Sequence, residues 1–105
     1  MSLVEDLIKE AVIDEVGLWL VIAKLRNDLQ VPDSKRLRAA VLDCVRNLLE
    51  SGEVVAGYYK PDGKGIEVWD IPIADILARI DDEWDKLGRE PNIGEIAVFV
   101  GRPQA

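Results

Sequence analysis

The sequence predicts a single α+β domain in which three helices precede a β-hairpin, followed by a further helix and a short closing strand. Three observations carry this. Apolar residues recur at spacings of three and four in four separate segments, which is the period of a helix with one face buried. Between the third and fourth of these, Val54 to Tyr59 and Ile66 to Trp69 are rich in β-branched and aromatic residues and flank the turn formers Pro61, Asp62 and Gly63. Glycines stand where helices should stop, at Gly52 and Gly88.

The first helix places Leu3, Leu7, Ala11 and Val4, Ile8, Val12 on adjoining rows, with Ser2 as its expected N-cap and Glu5 completing a capping box. From Asp14 to Leu29 apolar residues wrap most of the helix circumference, which predicts a central helix packed on several sides, separated from the first near Asp14 and Gly17. Gln30 to Asp33 reads as a connector, because Pro32 disfavours helical geometry at Val31 and Asp33 or Ser34 can cap a third helix. That helix turns Leu37, Ala40, Val41, Cys44, Val45, Leu48 and Leu49 to one face. Pro72 is expected in the first turn of the last helix, which holds register through Ile73, Ile76, Leu77, Ile80, Trp84 and Leu87. Beyond it, Asn92 and Glu95 suggest a capped turn, and Ile96 to Val100 a buried strand. The end from Arg102 to Ala105 is expected to fray.

A chain of 105 residues falls at the common domain size and predicts one domain over residues 1–105. Its longest apolar run, Gly17 to Ala23, is far short of the ~20 residues that span a bilayer. Nothing at the N-terminus resembles a signal peptide, and the one cysteine cannot form an internal disulfide, so a cytoplasmic location is expected. The formal charge is −7, but residues 24–46 reverse the sign, with six bases against three acids. Any basic face must be built there.

The absence of histidine removes the most frequent general base and the commonest metal ligand, so a non-enzymatic protein without cofactor or metal is expected. Cys44 lies on the apolar side of its helix and reads as a core residue with a raised pKa. Gly57 to Lys64 approaches a phosphate-binding loop, but five residues separate its glycines, Gly65 stands where a hydroxyl is needed, and the stretch lies inside a hairpin.

Two sets of residues are candidates for contact with a partner. Lys35, Arg36, Arg38, Arg46 and Asn47 on the third helix, with Lys60 and Lys64 at the hairpin turn, form a set able to reach phosphates and base edges. Strand alternation leaves at least one of Tyr58 and Tyr59 exposed, and Tyr59 beside the basic turn would serve as an interface anchor. The second set is acidic: Asp81, Asp82 and Asp85, with Glu83, form a run on the solvent side of the last helix that could dock a basic partner. Trp19, Trp69 and Trp84 read as core.

The helix end "LLESGEV", the strand "AGYY" and the return "GKGIEVWDIP" resemble the winged-helix superfamily, in which a recognition helix is followed by a β-hairpin wing. The runs "EVGLWLVIAKLR" and "WDIPIADILARIDDEWDKLGREPNIGEIAVF" are similar to a family of small uncharacterised bacterial proteins, across roughly residues 14 to 100. The resemblance implies a winged-helix fold and brings no activity or site residues with it. That fold serves DNA binding, protein binding and dimerisation alike. Because the chain is acidic and a polyanion would meet its field, the expectation is a protein-interaction module, docking a protein partner or a second copy. The alternative is a DNA-binding transcriptional regulator using the basic patch of residues 35–64.

Overall fold

The computed structural model describes residues 3–29 and 34–102. Four helices pack with a four-stranded antiparallel sheet in the order α1 (Leu3–Ile13), β1 (Val16–Gly17), α2 (Leu18–Leu29), α3 (Ser34–Glu50), β2 (Val54–Tyr59), β3 (Ile66–Val68), α4 (Ile73–Leu87) and β4 (Val98–Gly101). The α+β reading and the alternation of helices with a hairpin therefore hold. The expected cap at Ser2, the connector at 30–33 and residues 103–105 of the end expected to fray fall outside the described residues. Arg102, expected to fray with them, is instead held by its N–H donating to the Glu53 carbonyl and its Nε to the Gly52 carbonyl.

The sheet runs β1-β4-β2-β3, so the last strand of the chain lies in the middle. Phe99 sits opposite Val16 of β1 on one side and Ala56 of β2 on the other, and is completely buried. Backbone bonds prolong the ladder at both ends of β4: Leu18 N–H donates to the Ala97 carbonyl at 3.1 Å, and Arg102 N–H to the Glu53 carbonyl at 2.8 Å.

Helix periodicity explains the core. Leu7 and Ala11 of α1, Leu18, Val21 and Ile22 of α2, Val41, Val45 and Leu48 of α3, and Ile80 and Trp84 of α4 are buried around Val54, Ala56 and Phe99. Cys44 joins them, and burial, with the Asp43 carboxylate adding to it, pushes its thiol up to about 11. Among the described residues no buried side-chain nitrogen or oxygen lacks a hydrogen-bond partner.

Several boundaries differ from those expected, each for a local reason. The long apolar segment from Asp14 is divided: Val16 and Gly17 pair with β4, and α2 begins only at Leu18. Trp69 leaves the β3 ladder, although its N–H still donates to the Ala56 carbonyl at 2.9 Å. Pro72 is the N-cap of α4, with extended backbone, rather than its first helical residue. Gly88 ends α4 in the left-handed conformation, with φ 68°, and Gly52 follows α3 with φ 79°; both values penalise a residue bearing a Cβ.

Gly57 lies in β2 between Val68 and Val98, where strands approach closely. A Cβ placed there would stand 2.3 Å from the Glu67 carbonyl oxygen, which is backbone and cannot swing away. Gly57→Ala is expected to lower stability by about 1–3 kcal/mol through overpacking, read from the midpoint of urea unfolding. An unchanged midpoint would mean that β3 does not hold this register.

Candidate interaction surface

The exposed stripe of α3 consists of Lys35, Arg36, Ala39, Asp43, Arg46, Asn47 and Glu50, following the three-and-four spacing left over by the core face. Five of these seven side chains carry charge, three positive and two negative. Arg46 pairs with Asp43 one turn earlier at 3.2 Å. The stripe is therefore mixed in sign.

Arg38 does not belong to that stripe. It is half-buried where α3 meets α4, its Nε donating to Asp81 Oδ1 at 2.7 Å, its Nη1 to Asp85 Oδ1 at 3.1 Å and its Nη2 to the Asp81 carbonyl at 2.6 Å. Its guanidinium also lies 5.3 Å from the centre of the Trp84 ring. Burial works against the charge, but the hydrogen bonds to Asp81 and Asp85 outweigh it and hold the pKa above the ordinary arginine value. One member of the predicted basic set is thus joined to two members of the predicted acidic set. Asp82, the third, pairs with Lys86 at 2.9 Å, and Glu83 with Arg79 at 3.4 Å. Arg79 in turn stacks over Trp69 at 4.2 Å.

Lys60 and Lys64 occupy the exposed turn joining β2 to β3, as predicted for the tip of the hairpin. The turn is held by Lys60 N–H to the Gly65 carbonyl at 3.0 Å and by Lys64 N–H to Asp62 Oδ1 at 2.8 Å. At its base both tyrosines are partly exposed, their rings meeting edge to face at 5.5 Å.

Those tyrosines tie the hairpin to two other parts of the chain. Tyr58 donates its hydroxyl to the Gly94 carbonyl at 2.6 Å. Gly94 belongs to a corner in which Asn92 N–H donates to Glu95 Oε1 at 2.7 Å and Arg89 grips Glu95 through both carboxylate oxygens, at 2.7 and 2.8 Å. Arg89, then the Asn92 N–H, lower the Glu95 carboxyl to about 2. The corner ends at Ile96, whose φ of 68° is strained for a β-branched residue and is closed by Ala97 N–H donating to the Glu95 carbonyl at 2.9 Å.

Tyr59 donates its hydroxyl to Glu15 Oε1 at 2.5 Å. That bond, helped by partial burial and by the negative charge of Glu15, pushes the phenol up to about 12. Behind it lies a cleft of about 320 Å³ lined by Asp14, Glu15, Gly17, Trp19, Tyr59 and Ile93. Sequence reasoning assigned Trp19 to the core and gave Glu15 no role. Trp19 is only half-buried, because its indole lies against Gly17, where a Cβ would come within 2.6 Å of the ring. A glycine two residues before a tryptophan was the one available signal. A second, more apolar cleft of about 510 Å³ lies beside Ile8, Val12 and Ile13, the last 87 % exposed. Among the described residues no three His, Cys, Asp or Glu side chains converge as a metal site, and no helix is long and apolar enough to cross a membrane.

Two measurements check this geometry. A double-mutant cycle on Arg38→Ala and Asp81→Ala is expected to give a coupling of about 0.5–1 kcal/mol that shrinks in high salt, since both groups are part-exposed. In a spectrophotometric titration, Tyr59 is expected to ionise near 12 in the folded chain, and Glu15→Gln to bring it back toward 10. Because the folded pKa lies above the unfolded one, the stability it confers is present below pH 10 and is lost as pH rises through 12.

Comparison of the sequence with protein-family models and with curated proteins, and of the structure with solved structures, returns no match.

Proposed function

We propose that this chain is a small non-enzymatic interaction module of winged-helix type that docks a protein partner. The observation that carries the reading is the clasp of Arg38 by Asp81 and Asp85, which removes a central cation from any nucleic-acid surface. What is left on the outer face of α3 alternates in sign, and the chain as a whole carries −7. Such a field slows the approach of a polyanion and favours that of a basic or mixed protein surface. A cytoplasmic setting fits a chain whose one cysteine is a buried free thiol. The partner can be a second copy, for which the exposed Val12 and Ile13 offer apolar area.

The second reading, a DNA-binding transcriptional regulator using residues 35–64, draws support from Arg36, Arg46 and Asn47 lying along one exposed stripe of the helix that precedes the hairpin. Fluorescence anisotropy with duplex DNA separates the two. The protein-interaction reading expects no binding at physiological salt and only weak, salt-sensitive binding below it. Binding that persists at physiological salt and is abolished by Arg36→Glu or Arg46→Glu would overturn it. Light scattering at micromolar concentration tells a second copy from a different partner.

A further inference from the structure

We propose that the cleft between β1, the start of α2 and the end of β2 receives an arginine side chain projecting from a partner protein. The inference names the chemistry of one contact in the interaction reading and rests on it.

In the two clefts flanking α4, the lining carboxylates already hold cations: Glu83 has Arg79, Asp85 has Arg38, Glu90 has Arg26 and Glu95 has Arg89. The cleft beside Trp19 differs. Among the described residues Asp14 and Glu15 pair with no lysine or arginine; Asp14 accepts the Glu15 N–H at 2.9 Å, and Glu15 accepts the Tyr59 hydroxyl. Each is exposed and keeps a second oxygen free of those bonds. Two negative charges next to one another, without a cation, favour a cationic occupant.

The walls specify which cation. Trp19 and Tyr59 bring aromatic rings into the same cleft, and Gly17 gives the indole the space to lie there. Aromatic faces and carboxylates together suit a guanidinium better than an ammonium, because the planar group stacks on a ring while its fork of N–H donors reaches carboxylate oxygens. The tie between Tyr59 and Glu15 sets carboxylate and ring in place before the guanidinium arrives, so little ordering remains to oppose binding. Ile93 stands 74 % exposed at the rim and offers apolar contact to the residue next to the arginine. The cleft, at about 320 Å³, lies at the small end of ligand sites and fits one side chain rather than a folded element.

The test uses the full chain labelled with nitrogen-15 and N-acetyl-arginine methylamide as the probe, with N-acetyl-glutamine methylamide as the neutral control. The expected result is saturable shifting of the Trp19 indole N–H and of the Gly17 and Gly94 amides by the arginine probe alone. Glu15→Gln, a surface change that preserves size, is expected to weaken the probe about fivefold, in line with loss of a charge-assisted contact. No saturable shift, equal shifts from the glutamine control, or unchanged affinity in Glu15→Gln would each overturn the proposal. The probe contains no partner protein, so its failure removes the arginine cleft alone. Binding of duplex DNA would instead remove the wider reading and leave the probe result standing.

Discussion

The structure depends on β4 lying between β1 and β2. That one placement joins the N-terminal helices to the hairpin, because among the described residues β1 pairs with no strand but β4, and β3 with none but β2. Phe99 anchors it, fully buried and opposed by Val16 and Ala56. The sheet is thus completed by residues that are among the last in the chain, and every strand pair except the hairpin closes a long loop. Such non-local pairing contributes only after its loop entropy has been met.

Charge is organised by the same economy of distant contacts. The acidic run on α4 and the basic run on α3 look like two opposed surfaces in the sequence, yet Arg38 joins them across the helix interface. Aromatic rings back up both arginine contacts of α4, Trp84 beneath Arg38 and Trp69 beneath Arg79. Asp14 and Glu15, at the corner between α1 and α2, meet no lysine or arginine among the described residues.

Where local chemistry decides the conformation, the sequence was legible. Gly52 and Gly88 adopt the positive φ that their positions after helices require, the turn formers at 61–63 lie in the hairpin loop, and Cys44 is in the core. The capped turn inferred from Asn92 and Glu95 is present, with Glu95 accepting the Asn92 N–H as a capping box would. Two residues of β1 are too few to show a period, and they merge with the apolar start of α2. The partners of Arg38 are 43 and 47 residues away, a distance over which side-chain pairing leaves no mark on helical spacing. Trp19 departs from its expected place in the core for a local reason instead, its ring lying against Gly17 two residues before it.

The outer edge of β3 has one more consequence. Among the described residues no further strand lies beside it, an edge that in a longer segment would template intermolecular sheet growth. Here that edge is three residues long, carries Glu67 at its centre, and is followed by Pro72 at the head of α4. A lysine-bearing turn lies at its other end. Shortness, charge and a proline together make the hairpin a poor seed for fibrils, even with its aromatic base exposed.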